Sequence, residues 1–545
     1  MRKVQDIILK LIAVMGICFF TALTIGAIGT GRKLAPFSET VSTVSDNWIK
    51  AVGIVAGCIV IIGIIWKHSS RVYIRHLRIA AAVIAIFCAA GIITMALNAE
   101  YVPVADQEYV YVVLKNLFTG NYTELQEYWY YNVYPYQLGV GAVYLLPARI
   151  CGNCNILTLQ CFQAICGGIT IFAGNEIAWK LFHKEKLCIY YLLLVLCYVP
   201  MHLYGLFIYG EMIGLCFLEL AILCLLVLQE HEQWILWKKI LVYIAMISSM
   251  IVSYTAREAL IIVWIAVLGI QFLRALKGNR KSFMISFFCV LLMILGQKTV
   301  IQCVEHQAEI QLSEGVPVIS VVAMGFQDED PNHTGSGTYN AYQIHLFWEN
   351  NFDVAKCKEL SILNIKQSIV RWMRDPIGAL EFFCDKTAVQ WLEPTYGSFL
   401  VTSNMTTSSK WMKAFYSDRG YQIFYEIMNQ LQNVIYIGVL FYYIYLAKHK
   451  RQEWEYFLGL VLIGEVLFSL LWEAKSRYVF PYIVIALPAA AMGYWYLCNC
   501  IGKYLKPRTL ISAYAVWYFP ESDGDSDETY GANNSASKRW ILCDP

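Results

Sequence analysis

Long apolar runs recur along this chain, and no other feature restricts the fold as much. Twelve of them lie at about 7–29, 48–66, 79–97, 156–177, 187–205, 208–228, 240–256, 259–276, 282–301, 427–446, 457–472 and 479–499. A helix of about 20 apolar residues spans the hydrocarbon core of a bilayer. In lipid the backbone must satisfy its own hydrogen bonds, so each run reads as a helix. Composition agrees: 58% of the 545 residues are hydrophobic and 15% charged, against about a quarter charged in soluble domains. The predicted fold class is an all-α polytopic membrane protein of about twelve transmembrane helices. The first run follows Met1, Arg2 and Lys3 but is too long for a signal peptide and lacks a small-residue cleavage site, so it reads as a retained helix.

Lys and Arg in short loops set the orientation. Arg2 and Lys3 place the amino terminus inside, as do the clusters Lys67–Arg78, Lys180–Lys186, Lys238–Lys239, Arg274–Lys281, Lys448–Arg451 and Lys503–Arg508 for their loops. Only Arg32 and Lys33 dissent, in an outer loop. Residues 137–150 are apolar but short, with Pro147 and Arg149. They read as an interfacial helix on the outer face, which keeps both termini cytoplasmic. The predicted layout is three helices in 1–97, a large outer loop in 98–155, helices four to nine in 156–301, a small extracytoplasmic α or α+β insert in 302–425, helices ten to twelve in 426–500, and a cytoplasmic tail in 501–545. The acidic, small-residue-rich tail after Pro520 reads as disordered.

Several classes fall away. Net charge is +2, which offers nothing to nucleic acid, and no P-loop or GxGxxG is present. Most of the eighteen Cys lie inside apolar runs, where they act as small hydrophobes. Cys151 and Cys154 form a CxxC without a second pair, a loop with two thiols or one local disulfide. His306, His333 and His345 lack zinc spacing. Asn-x-Thr sequons stand at Asn121, Asn332 and Asn404.

Chemistry gathers on the predicted outer face. Asp106 follows the third span closely, ahead of Glu108, Glu124 and Glu127. A carboxylate there can act as general base on an acceptor hydroxyl without leaving the membrane surface. Glu211 sits at an outer helix start, where a charge just inside an apolar run is costly but a helix N-terminus favours an acid. Glu219 and Glu465 lie deeper. Arg257, Lys475 and Arg477 are basic residues on the side that topology disfavours. Phosphate binding suits them, with interface anchoring as the alternative. The aromatic stretch from Tyr128 to Tyr136, with Tyr134, Tyr136, Gln137 and Tyr478, can contact a sugar or its acceptor, or form an interfacial belt.

Taken in order, these residues resemble the GT-C superfamily of membrane glycosyltransferases, near the protein mannosyltransferases and lipid A aminoarabinose transferases. The likeness covers roughly 98–500. Asp106 matches the acid of the first large outer loop, Tyr134-Pro-Tyr-Gln-Leu-Gly139 a Tyr/His-Pro-Pro-Leu-like opening of an outer-face helix, and Trp179-Lys-Leu-Phe182 an Arg-Leu-Phe-Gly-like turn. Glu211 matches a second acid, and Glu473-Ala-Lys-Ser-Arg-Tyr478 a late Glu-x-Arg-x-Arg-Tyr stretch. Asp106 is followed by Gln107 instead of the acid of the mannosyltransferases, and two extra helices precede the usual first one. The resemblance implies an inverting enzyme of a bacterial cell membrane that moves a sugar from a polyprenyl-phosphate donor to a hydroxyl of a cell-envelope glycan, lipid or protein. Asp106 would be the base, Arg257, Lys475 and Arg477 would hold the lipid phosphate, and Glu211 would be a second acid. No cofactor is required, although Asp106 with Glu211 could hold a divalent cation, Mg or Mn. The competing class is a transporter or flippase of lipid-linked saccharide, for which repeats and mid-membrane charges are the expected marks. A membrane polysaccharide polymerase or ligase is a nearer rival.

Overall fold

Alternating long helices dominate the computed structural model, which describes residues 2–505 apart from 70–72, 128, 329–334 and 449–451. Asn332, His333 and the acidic tail lie outside the described residues. The chain opens with α1 (Arg2–Gly29), a hairpin of β1 (Thr30–Leu34) and β2 (Val41–Ser45), then α2 (Trp48–His68) and α3 (Ile74–Leu97). A two-residue strand, β3 (Glu100–Tyr101), leads to α4 (Asp106–Thr119). Four short helices follow: α5 (Thr123–Glu127), α6 (Tyr130–Val133), α7 (Gln137–Val143) and α8 (Leu145–Cys151). Next come α9 (Ile156–Phe182), α10 (Glu185–Cys197), α11 (Val199–Tyr204), α12 (Gly210–Glu230), α13 (Leu236–Ala256), α14 (Ile261–Ala275) and α15 (Arg280–Ala308). The segment read as an insert holds α16 (Val318–Met324), α17 (Tyr342–Glu349), α18 (Val354–Arg374), α19 (Pro376–Trp391), α20 (Ser398–Thr402), β4 (Met405–Thr406) and α21 (Lys410–Phe415). The last long helices are α22 (Asp418–Lys448), α23 (Phe457–Leu471) and α24 (Ser476–Leu505).

Among the described residues, eleven helices are long and apolar enough to cross a membrane: α1, α2, α3, α9, α12 to α15 and α22 to α24. The expected span at 187–205 is instead two shorter helices, α10 and α11, meeting at Tyr198. Pro200 explains the break, since it has no amide hydrogen to continue the α10 ladder and prefers a helix's first turn. The apolar run at 137–151 forms the short helices α7 and α8.

Residues 1–501 make one compact unit, and of the second, 502–545, only the last turn of α24 is described. The core is unusually rich in tyrosine. Trp391 packs edge-on against Phe19 and Phe20 of α1, with centroids 5.6 and 6.3 Å away. Tyr436, Tyr442 and Tyr443 of α22 are fully buried. Their hydroxyls reach backbone carbonyls, as buried polar groups must: Tyr442 donates to Glu455 at 2.6 Å and Tyr443 to Gly459 at 2.7 Å. The helices α22 and α24 touch at two glycines, for a Cβ on Gly493 would come within 1.8 Å of the Gly438 carbonyl oxygen.

Two features had no sequence signature. The loop at 30–47 holds the antiparallel pair β1–β2, with Thr30 opposite Ser45 and Leu34 opposite Val41. It also accounts for the dissenting charges. Arg32 pairs with Asp385, and the Lys33 ammonium lies 5.3 and 5.6 Å from the ring centroids of Tyr421 and Tyr425. The second is the stretch from α19 to α20, which dips into the bundle. Glu393 is fully buried and accepts hydrogen bonds from the amides of Thr395 (3.0 Å) and Gly397 (2.8 Å), and from the hydroxyls of Thr395 and Ser476 (2.9 Å). Burial raises its pKa, against the pull of these donors. Cys151 and Cys154 are both free thiols.

Candidate functional site

The site forms where α4 and α24 begin and where α12 meets the end of α13. Ala105 takes φ 51°, a strained turn for a residue with a side chain, and it swings the chain into α4. Asp106 thus opens the helix, where unpaired amides favour a carboxylate. Gln107 anchors this turn: its Oε1 accepts from the Ile208 amide at 3.2 Å and its amide donates to the Val401 carbonyl at 3.4 Å. The residue that departs from the mannosyltransferase pattern is therefore a tether between three segments.

The Asp106 side chain is 36% exposed. Its Oδ1 accepts from the Tyr130 hydroxyl at 2.9 Å and its Oδ2 from the Arg477 guanidinium at 3.2 Å. Tyr130 is itself locked by a parallel stack on Tyr109, centroid to centroid 3.6 Å. Burial opposes ionisation of Asp106, but Arg477, Lys475 and the two hydrogen bonds prevail and hold its pKa below the ordinary carboxylate value.

Behind Asp106 lies a buried charge relay. Glu211, 1% exposed, stands 3.7 Å from both Arg257 and Arg477. Gly210 permits this, since a Cβ there would come within 1.7 Å of the Ala256 carbonyl oxygen. That close approach of α12 to the end of α13 brings Glu211 beside Arg257. Aromatic rings hold the guanidinium groups. Arg257 lies 5.1 Å from the Tyr478 ring and 5.9 Å from Tyr209, and Arg477 lies 5.4 Å from Tyr209, 5.7 Å from Tyr478 and 5.7 Å from Phe207. Such cation–π contacts favour the planar arginine over lysine.

Lys475 is the most exposed of the three cations, at 25%, and its ammonium meets Glu39 of the β1–β2 turn at 2.6 Å. Burial works against the charge on Glu39, but Lys475 and Arg477 lower its pKa overall. A cavity of about 90 Å³ opens here, with Glu39, Tyr339, Glu473, Lys475 and Arg477 in its wall. The Tyr478 hydroxyl donates to Glu473 at 3.1 Å. Burial raises the Glu473 pKa, with Lys475 acting against it.

The structure therefore brings Asp106, Glu211, Arg257, Lys475, Arg477 and Tyr478 together. Tyr136 lies against the same cluster, in the field of Tyr209, Asp106, Glu258 and Arg257, and burial pushes its phenol well above the ordinary value. Tyr134 stands one ring further out, 6.0 Å from Tyr136, and receives a hydrogen bond from Gln343 at 3.2 Å. Gln137 is buried and donates to the Tyr209 hydroxyl, so it reaches the site only through Tyr209. Tyr130, Tyr209, Glu39 and Glu473 are members of the site that the sequence did not single out. Glu473 lay inside the late Glu-x-Arg-x-Arg-Tyr-like stretch and Tyr130 inside the aromatic one, whereas Glu39 sat in a hairpin with no signal.

A divalent cation between Asp106 and Glu211 would compete with the arginines already paired there. Both present oxygens to guanidinium groups, and a metal between them would face two positive charges within a few ångströms of Glu211. Among the described residues no group of three or more His, Cys, Asp or Glu gathers as a metal site.

Fold and charge cluster together define a polytopic helical membrane protein with an ionic site at one end of its bundle. The chain belongs to the family of conserved hypothetical integral membrane proteins, which matches residues 1–496. No curated protein matches it in sequence. Among solved structures, an oligosaccharyltransferase of Archaeoglobus fulgidus, tethered with an acceptor peptide containing the NVT sequon, is similar at a TM-score of 0.41 and 12% identity. That likeness covers 78% of this chain and 50% of the archaeal one, so the present chain spans about half that protein's length.

Proposed function

We propose that this protein is an inverting glycosyltransferase that moves a sugar from a polyprenyl-phosphate donor to an acceptor hydroxyl at the extracytoplasmic membrane face. One observation carries the reading: the half-exposed Asp106 carboxylate is held ionised at the mouth of the site, with the aromatic-clamped pair Arg257 and Arg477 behind it. The acceptor oxygen attacks the anomeric carbon as the bond from that carbon to the phosphate oxygen breaks. The acceptor proton passes to Asp106, and the electron pair leaves with the lipid phosphate. Arg477 and Lys475, on the cavity wall, receive the phosphate, and Arg257 holds Glu211 beside Arg477. A phosphate on Arg477 weakens that residue's hold on Asp106, which makes the carboxylate a stronger base as the donor arrives. The ring faces of Tyr136 and Tyr478 offer the sugar apolar contact.

The test is Asp106→Asn in nanodiscs with a polyprenyl-phosphate sugar. Donor binding should persist while transfer falls about 100- to 10,000-fold, the usual contribution of a positioned general base. Transfer within a few-fold of wild type removes Asp106 from the mechanism.

A further inference from the structure

The segment between α15 and α22 contains a helix packed inside out. α18 turns Cys357, Ser361 and Ser368 inward. The Ser361 and Ser320 hydroxyls meet at 2.8 Å, and Ser368 donates to the Phe326 carbonyl at 3.3 Å. An amphipathic helix packed in water buries its apolar stripe. Here Ile362, Leu363, Ile369, Val370 and Met373 are all exposed, on one face at helical spacing. Ile377 and Leu380 extend that face across the turn into α19. Exposure peaks at the turn, at 76% for Met373 and 73% for Ile377.

The turn is well built. Trp372 packs against Phe326, Phe382 and Phe383 with centroids 5.0, 5.3 and 4.8 Å away. Asp375 caps α19 by accepting from the Gly378 amide at 3.0 Å. Beside the apolar face runs a cleft of about 500 Å³ that includes Lys366, Arg371, Arg374 and Asp375. Arg371 is paired with Asp328 at 2.8 Å. Asp375 and Glu381 are the other acids close by in sequence, so cations and acids share the tip while the cleft itself is mainly basic. α19 then runs to Trp391 against Phe19 and Phe20, inside the apolar span of α1. The exposed turn is thus at most one short helix, about 24 Å, from a residue at membrane depth.

We propose that the α18–α19 turn docks on the membrane surface and selects anionic phospholipid. Met373, Ile377 and Leu380 enter the boundary between headgroups and acyl chains, and Lys366, Arg371 and Arg374 meet lipid phosphates. Apolar residues flanked by basic ones are what an interfacial helix requires, and each Lys or Arg near an anionic leaflet adds about fivefold to its attraction. The proposal does not depend on the chemistry assigned to Asp106.

The test uses the full chain in vesicles, with an environment-sensitive fluorescent amino acid in place of Met373. Lipids brominated on the acyl chain should quench its emission and aqueous iodide should not. Quenching should be stronger in phosphatidylcholine mixed with phosphatidylglycerol than in phosphatidylcholine alone. The double variant Lys366→Glu, Arg374→Glu should abolish that lipid preference while a fluorophore placed in α12 reads unchanged. Iodide quenching without bromolipid quenching overturns the proposal, because the face is then in water. Quenching by neither overturns it too, because protein then covers the face. Equal quenching in both vesicle types overturns the selection of anionic lipid.

Discussion

Asp106 and Arg477 are opposed and paired at once, and the site's chemistry rests on that balance. Burial alone would raise the Asp106 pKa, and the cations bring it below the ordinary value. A depressed carboxylate pKa stabilises the fold above the unfolded value, and that contribution is lost as pH falls through the native one. For activity, the acid limb of kcat/KM should lie below the ordinary carboxylate range in the wild type. In Arg477→Ala the burial effect loses its main opponent, so the limb should move to higher pH. Arg477→Ala should also weaken donor binding roughly ten- to a hundredfold, the contribution of one or two charged hydrogen bonds. Arg477→Lys should recover part of it, since the ammonium keeps charge but loses the fork. A pH profile that stays in place, with donor affinity unchanged, would make Arg477 an interface anchor. Glu211 has a different part, because it pairs with both buried guanidinium groups. Glu211→Gln should cost about 3–5 kcal/mol of stability, as breaking one side of a buried pair does, read as a lower unfolding temperature in detergent. These residues were legible because charges beside apolar runs are few. Glu39 and Tyr130 were not, since an acid in a short loop and a tyrosine in a tyrosine-rich stretch look alike whether or not they face a site.

Elements differ in how plainly the chain announces them. The long spans follow from hydropathy, and the α10–α11 break is visible afterwards in Pro200. The hairpin β1–β2 has five-residue strands without strong alternation, and its pairing is supported by tertiary contacts such as the Arg32 amide to the Leu392 carbonyl at 3.0 Å. The inward dip after α19 was illegible for a related reason: Glu393-Pro-Thr-Tyr-Gly397 reads as a polar turn, and only its donors make burial tolerable. In α19, Lys386 is fully buried, donates to the Gly325 carbonyl and has its pKa lowered by burial to about 7, despite Glu473. The native chain therefore lacks a proton that the unfolded chain holds between about pH 7 and pH 10.5, and wild-type stability rises with pH across that window. Lys386→Met has no such titration. Its stability relative to wild type should be greatest below pH 7 and decline above it by roughly 1.4 kcal/mol per pH unit. Unfolding temperatures of both proteins across that range check it, and a difference that is flat with pH would mean that Lys386 stays charged in the native state.

At the scale of the whole molecule, the two ends of the bundle are electrically different in kind. At the end away from Asp106, basic residues join neighbouring helices: Lys180 of α9 pairs with Glu230 of α12, and Lys277 pairs with Glu453 ahead of α23. The helix ends and turns there also carry Arg75, Lys184, Lys186, Lys238, Lys239, Arg280 and Lys281. Close to the Asp106 site the cations are largely committed to partners. Arg32 pairs with Asp385, Lys475 with Glu39, and Arg257 and Arg477 with Glu211. Cations neutralised inside the fold weigh little in orienting it, whereas free loop cations are held on the cytoplasmic side. The once-dissenting Arg32 and Lys33 therefore cease to count against the assignment. The expected topology has the Asp106 site and α18 outside, and the turn between α12 and α13 inside. Exposed native thiols, Cys18, Cys151, Cys197, Cys303 and Cys384, would first be replaced by Ser. A membrane-impermeant thiol reagent on intact cells should then label Lys356→Cys in α18 and spare Gln233→Cys between α12 and α13, with both labelled once the membrane is opened. The reverse pattern would place Asp106 in the cytoplasm, where the proposed outer-leaflet donor could not reach it.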